Sequence, residues 1–242
     1  MPTTFPDPSS AVDITNESAV AAPFTAQLPA ELFIAKQARQ LDACAINDHG
    51  VRGIHLMKRA GRAAFAALQQ HWPSAEQIVV FCGGGNNAGD GYVVAGLAAQ
   101  KRIPVTLVYL AEPSSLSDDA QQAYEFARRE GVIMQPIAEC PAVPVDAVVV
   151  DALIGLGAGG DIRGDALELR GAYAAAVAII NATQAPVLAL DLPSGLCADT
   201  GAARDAVHAD VTVSFIGLKR GLLTGRGPAL TGQLYFADLG LP

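Results

Sequence analysis

The chain predicts an α/β fold, a mostly parallel sheet with helices on both faces. Three observations carry that prediction. Short apolar runs rich in β-branched residues alternate with longer stretches of helical spacing, the pattern of repeated βα units whose strands are covered on both sides. The run Ile78-Val79-Val80-Phe81-Cys82 breaks directly into Gly83-Gly84-Gly85-Asn86-Asn87-Ala88-Gly89-Asp90-Gly91 and then into a helix-like stretch, residues 92–101. A second glycine-rich loop begins soon after another strand-like run, residues 146–150.

A length of 242 residues, 51% apolar and 17% charged, is enough for one sizeable core. Residues 1–26 are rich in Pro, Ser, Thr and acidic side chains without periodicity, which predicts a flexible tail ahead of a domain over residues 27–242. Being acidic and free of Arg, that tail is no mitochondrial presequence. A formal net charge of -8 argues against an electrostatic grip on nucleic acid or an anionic membrane. Cys44, Cys82, Cys140 and Cys197 show neither CxxC spacing nor the density of a disulfide scaffold, so a reducing compartment is expected. No apolar run reaches the ~18 residues that span a bilayer and no basic n-region opens the chain, which predicts a cytoplasmic protein with no membrane partner.

In chain order, residues 29–48 space Leu32, Ala35, Ala38, Leu41, Ala45 and Ile46 as a helix does, with Pro29 suited to its first turn. Residues 54–71 repeat the pattern through Leu56, Met57, Ala60, Ala64, Ala67 and Leu68 until Pro73 stops it. Residues 77–82 are the first strand, residues 105–110 the second, and a helix runs from Ser117 to Gly131. Residues 146–150 form the third strand, residues 165–180 an Ala-rich helix stopped by Asn181, and residues 186–190 the fourth strand. Residues 211–215 and 233–236 complete the strands.

In such a sheet a ligand lies beyond the carboxyl ends of the strands, where strand order reverses. Asn87 and Asp90 follow the first strand, Asp151 the third, and Asp191 and Ser194 the fourth, so parallel geometry delivers all of them to one edge. Their oxygens suit a hard monovalent or divalent cation rather than zinc or copper. Glycine loops at two exits can wrap phosphates through amides, with Arg163 or Lys219 available for charge-assisted bonds. Gly83, Gly85 and Ala88 also fit the GxGxxG/A dinucleotide fingerprint, with Glu112 spaced as a ribose acid, although Asp90 at the helix start opposes a pyrophosphate. Singly, Asp151 and Asp191 read as helix or turn caps, the more frequent role of a strand-end Asp; together on one edge they favour a site.

Absences exclude classes. No Lys-Ser/Thr follows the loop, so it is not a Walker A site, and Leu192 and Leu196 stand where a GxSxG elbow around Ser194 needs glycine. His49, His55, His71 and His208 lack metal-ligand spacing, and Trp72 with the scattered phenylalanines forms no platform for single-stranded nucleic acid.

Five segments occur in order: Leu56-Met57-Lys58-Arg59-Ala60-Gly61, Gly85-Asn86-Asn87-Ala88-Gly89-Asp90-Gly91, Asp151-Ala152-Leu153-Ile154-Gly155, Asp191-Leu192-Pro193-Ser194-Gly195-Leu196 and Lys219-Arg220-Gly221-Leu222. With them the chain resembles the NAD(P)H-hydrate epimerase family, the YjeF N-terminal domain, over nearly its whole ordered length. The resemblance implies a Rossmann-like three-layer sandwich and an isomerase that interconverts the R and S epimers of hydrated NADH and NADPH in nicotinamide-cofactor repair. It implies substrate contacts from Asn86, Asn87, Ala88, Gly89, Asp90, Gly155, Leu156, Gly157, Ala158, Gly159, Gly160, Asp161 and Asp191. It also implies a potassium ion (K+) held by Asn87, Asp151 and Ser194. A homodimer is implied too, as is an ADP- or ATP-dependent dehydratase as functional or fused partner, since members often continue into one near where this chain stops. Two departures stand out: the family's usual GG pair is Ala88-Gly89 here, and the second loop reads Gly157-Ala158-Gly159-Gly160.

The hydrated carbon of such a substrate sits beside the ring nitrogen, so its hydroxyl can leave with the help of the nitrogen lone pair and return on the other face. That route needs an acid, a base and stabilisation of a transient cation. Asp191 is the preferred acid/base and Asp151 the second candidate. Two other classes stay open: a non-catalytic nucleotide-binding or interaction module, and a conventional NAD(P)-dependent oxidoreductase. The joint presence of Asn87, Asp151, Asp191 and Ser194 favours the repair enzyme.

Overall fold

The apolar runs assemble into one sheet, in a computed structural model that describes residues 23–156 and 168–241. Its strands are β1 (Gln77–Cys82), β2 (Val105–Tyr109), β3 (Ile133–Pro136), β4 (Ala147–Ala152), β5 (Val187–Leu190), β6 (Val211–Phe215) and β7 (Gln233–Ala237). Their order is β3-β2-β1-β4-β5-β6-β7, and every neighbouring pair is parallel. Helices α1 (Ala35–Asn47), α2 (Gly53–His71), α3 (Asn86–Gln100), α4 (Asp118–Arg129), α5 (Gly171–Ala182) and the short α6 (Gly227–Leu230) surround it.

Side chains alternate across a strand, and here both faces are covered. Ile78, Val80 and Cys82 of β1 pack with Leu68, Tyr92 and Ala120 on the face of α2, α3 and α4, whereas Val79 and Phe81 pack with Val177 and Ile180 of α5 on the other. That is why the strand reads as a continuous apolar run. The predicted three-layer α/β architecture is therefore the observed one.

Boundaries differ where local chemistry overrides periodicity. The first helix begins at Ala35 rather than near Pro29, because Phe33 lies extended in an isolated parallel bridge to Lys219. The third helix begins at Asn86, inside the predicted glycine loop, so Asp90 stands one turn into it rather than at its start. β3 went unpredicted because it is a four-residue edge strand, mostly half-buried and ended by Pro136. The fifth helix starts at Gly171; residues 165–167 of the predicted helix lie outside the described residues. The same holds for residues 1–22 of the predicted tail, but Phe24 is buried and Thr25 pairs with Phe236, so the packed chain starts by residue 24. No helix among the described residues is long and apolar enough to cross a membrane.

The close seat of α3 on the sheet places its first turn over the strand ends. Gly91 makes that seat available, since a Cβ there would lie 2.5 Å from Ala152 Cβ and 2.9 Å from Cys82 Sγ. Gly91→Val should destabilise the fold by about 1–3 kcal/mol through overpacking. A urea midpoint equal to that of the parent protein would refute this account of the helix seat.

Candidate functional site

The chain leaves β1 toward β2 on one side, whereas β4 continues toward β5 on the other, so strand order reverses between two hydrogen-bonded neighbours. A crevice opens at such a point. Here it is a cavity of about 780 Å³, lined from the strand ends by Gly84, Gly85, Leu153, Ile154, Gly155, Leu156, Asp191 and Lys219. Asn86, Asn87 and Asp90 of α3, Tyr173 of α5, Leu56 and Met57 of α2, and Arg39 and Asp42 of α1 are among its walls, as are the charged Asp119, Glu168 and Arg170.

Its floor follows from missing side chains. A Cβ on Gly83 would sit 1.9 Å from Leu153 O, and one on Gly84 2.9 Å from Ala111 Cβ. Gly85, by contrast, faces open space as the residue before α3, and no side chain caps the first N–H groups of that helix. Uncapped amides at a helix N-terminus favour an anion. Ala88 occupies a right-handed helical position in the core, where glycine's backbone freedom is not needed. Gly89 is needed for space, since its Cβ would meet Met57 Sδ at 2.4 Å. Ala88 and Gly89 lie behind the cavity and do not line it.

Beneath the segment 153–155 lies a knot of hard oxygens. Asp151 Oδ1 accepts Ser194 Oγ–H at 2.6 Å and Leu153 N–H at 3.2 Å, and its Oδ2 accepts Ser194 N–H at 2.8 Å. Ser194 Oγ in turn accepts Ile154 N–H at 2.9 Å. Both residues are fully buried. Burial pushes the Asp151 carboxyl up to about 6, against the lowering effect of its hydrogen bonds from Ser194 and Leu153. Asn87 is buried above them against Gly155, whose Cβ would lie 3.2 Å from Asn87 Cβ, and both ends of its amide lack partners among the described residues. A buried amide without partners is a donor and acceptor awaiting a ligand.

Asp191 occupies the other corner. It is the centre of a three-residue turn closed by Leu192 N–H to Leu190 O at 2.8 Å, at φ 68°. Beside it, Ile216 repeats the turn through Gly217 N–H to Phe215 O at 2.7 Å, at φ 62°, a rare conformation for a β-branched residue. Lys219 Nζ pairs with Asp191 Oδ1 and donates to Phe215 O at 2.8 Å, and Phe215 N–H also reaches Asp191 Oδ1 at 3.3 Å. Lys219 is therefore committed to a buried ion pair and not free for a phosphate, as the sequence had it. Two further carboxyls feel this pair. Burial, then Asp191 and Asp42, hold Asp90 well above the usual carboxylate range, while Lys219 opposes. Burial, then Asp191, push Asp42 up to about 6, again against Lys219.

The sequence-predicted residues thus meet on one edge. Asn86, Asn87, Asp90, Gly155, Leu156 and Asp191 line the cavity, with Asp151 and Ser194 beneath it. Gly157, Ala158, Gly159, Gly160, Asp161 and Arg163 lie outside the described residues. Glu112, the supposed ribose acid, is exposed and does not line the cavity. Asp42 and the pairing of Lys219 with Asp191 were missed. A lone Asp between Ala38 and Ala45 at helical spacing was the one available signal for the first.

Fold and site together define an α/β protein whose ligand crevice lies at the switch point of its sheet, walled by carboxylates and amides. The chain belongs to the family described as YjeF-related protein N-terminus, whose model matches residues 53–221. Among its relatives, the bifunctional NAD(P)H-hydrate repair enzyme Nnr of Coxiella burnetii is 40% identical over 211 residues, covering 87% of this chain and 41% of the relative. The chain therefore spans less than half the length of that relative. The NAD(P)H-hydrate epimerase of Limosilactobacillus fermentum is 36% identical over 210 residues, covering 86% of this chain and 96% of the relative. The crystal structure of yeast ynu0, YNL200c, superimposes with a TM-score of 0.70 over 85% of this chain and 87% of that one; at 18% identity it shows a common fold.

Replacing Lys219 by Met would leave a buried carboxylate without its counter-charge. Breaking a pair of this kind costs about 3–5 kcal/mol. Urea unfolding of Lys219→Met near neutral pH should show a loss of that order, and a loss below about 1 kcal/mol would mean that the pair is effectively solvated.

Proposed function

We propose that the protein is an NAD(P)H-hydrate epimerase, an isomerase acting on the R and S epimers of hydrated NADH and NADPH in nicotinamide-cofactor repair. The observation that carries this reading is the gathering of Asn87, Asp151, Ser194 and Asp191 around one switch-point cavity. The activity named for the Limosilactobacillus fermentum relative, matched along 96% of its length, supports it. A cavity of about 780 Å³ has the size of a small-molecule site. The free amides at the start of α3 suit the substrate's phosphates, and Asn86 and Gly155 stand beside them.

Asn87 Oδ1, the Asp151 carboxylate and Ser194 Oγ are the hard donors that potassium takes. The unpartnered Asn87 amide and the desolvated Asp151 are the two features such an ion would satisfy. When bound, it would offset negative charge where phosphate and carboxylate oxygens crowd. Asp151, buried under the cavity with both oxygens engaged, fits a ligand role better than that of acid/base.

The proton work falls to Asp191, which faces the cavity with Lys219 behind it. As the C–O bond of the hydrated ring opens, the pair can supply a proton to the departing oxygen. Its remaining negative charge faces the cationic ring and stabilises it. On this reading the protein works in the cytoplasm as a homodimer, beside an ADP- or ATP-dependent dehydratase that takes one epimer onward; the bifunctional names of several relatives support that pairing.

Incubation with one pure epimer of hydrated NADH, followed by chromatographic separation of the two forms, tests the reading. Conversion should occur and should be faster with potassium than without. Asp191→Asn should lower turnover by ~10²-fold or more, and an unchanged rate would remove Asp191 from acid–base work. Asp151→Ala should abolish the response to potassium, and a retained response would refute the ion site.

A further inference from the structure

We propose that Asp42 is the second catalytic carboxylate of this cavity, the proton-accepting partner of the Asp191–Lys219 pair; the proposal rests on the epimerase reading. Only Ala38 and Ala45 of α1 are buried, and Asp42 stands between them at four- and three-residue spacing, on the same face. A carboxylate therefore occupies the inward stripe of the helix, with two small neighbours leaving it room. It lines the cavity together with Asp191, and no described group donates a hydrogen bond to it.

The helix is fastened so as to keep it there. Phe33 N–H donates to Leu218 O at 2.8 Å and Arg220 N–H donates to Phe33 O at 2.9 Å, bracketing Lys219. Ala35 N–H donates to Asp199 Oδ1 at 2.6 Å, and Arg39 Nη1 to Leu156 O at 2.7 Å. The chain that carries Asp42 is thus sewn to the chain that carries Lys219. The α1 side of this attachment, residues 33–39, lies outside residues 53–221, the segment that the family model matches, whereas its anchor points lie inside it.

Epimerisation needs proton transfer in both halves of the reaction. In one direction the Asp191–Lys219 pair protonates the departing hydroxyl oxygen, the C–O bond breaks, the nitrogen lone pair forms a C=N bond, and water is released. Water then adds to the other face of the same carbon, the C=N electrons return to nitrogen, and the proton lost from that water passes to the Asp42 carboxylate. One proton leaves the pair and one arrives on Asp42; exchange with solvent resets both, and the reverse reaction exchanges their roles. The charges that act on Asp42 are Asp191 and Lys219 at the strand ends and Asp90 on α3, and Arg39 on its own helix, Asp119 on α4, and Glu168 and Arg170 ahead of α5 line the same cavity. With its carboxyl pushed up to about 6, Asp42 is ionised above that pH and lost as a base below it.

The test compares the full chain with Asp42→Asn and Asp42→Glu. At pH 8, Asp42→Asn should lower kcat by ~10²-fold with little change in KM, and Asp42→Glu should restore part of the rate. Carbon-13 NMR of labelled aspartate should show a carboxyl titrating near 6 that is missing from Asp42→Asn, and kcat/KM of the parent should fall with that same ionisation as pH drops. The folded-state value lies above the unfolded one, so the stability this group contributes is full below the unfolded value and lost as pH rises through about 6. Asp42→Asn should accordingly melt no lower than the parent at pH 8, whereas a structural carboxylate would leave a lower melting temperature. The proposal is overturned by a kcat within about threefold of the parent, or by a loss of rate that tracks a loss of melting temperature and is not rescued by Glu. A parent protein that leaves the epimer unconverted overturns the epimerase reading itself, and Asp42's role falls with it.

Discussion

Asp151 is the constraint on which the site's geometry depends. Its two oxygens accept three hydrogen bonds from the exits of two strands, β4 through Leu153 and β5 through Ser194. Ser194 then closes the circuit by accepting the Ile154 amide. Hydrogen bonds to an ionised group in a water-poor setting are short and strong, and leaving any of the three donors unpaired would cost more than the bond contributes. The segment 153–155 is held in this way against the glycine floor, with Gly155 pressed on Asn87 and the Leu153 carbonyl packed where a Gly83 side chain would stand. A fully buried carboxylate thereby fixes both the floor of the cavity and the unpartnered amide of Asn87.

A second constraint is charge. The protein is acidic, and at the strand ends it brings Asp42, Asp90 and Asp191 around one buried ammonium. Three negative charges against one positive cannot persist in a desolvated site, so protons are retained where burial is greatest and like charges converge. Asp90 is the extreme case and Asp42 the intermediate one. Environments that separate otherwise identical side chains in this way produce an acid and a base from the same chemical group. The local amides at the start of α3 then offer an anion the attraction that a net negative chain does not supply.

Much of this was legible in the sequence. β1 and β4 are covered on both faces and so could only read as uninterrupted apolar runs, and the exits of β1, β4 and β5 carried their polar residues in the order the sheet required. What escaped had a physical reason in each case. Periodicity from Leu32 onward suggested an earlier helix, but Phe33 satisfies its backbone by pairing with the chain around Lys219, a contact no local pattern encodes. Lys219 looked like a phosphate ligand because a lone cation near glycines usually is solvent-facing; its burial depends on the return of β6 beside β5, which sequence spacing does not reveal. β3, four residues at the sheet edge and ended by a proline, was too short to stand out.

Several unfavourable local choices are gathered at this edge. Asp191 and Ile216 adopt left-handed conformations side by side, each costing on the order of 1–3 kcal/mol. Asn87 buries an amide without partners, and Asp42, Asp90 and Asp151 are held away from water. A core with two well-packed faces can carry such costs, and residues optimised for stability alone would not incur them together. Left-handed turns at the adjacent ends of β5 and β6 aim Asp191 into the cavity while keeping Phe215 N–H and Lys219 on its inner oxygen. Relaxing either turn would swing that carboxylate away from the cavity, so the strain is the physical cause of its aim rather than a by-product of the fold.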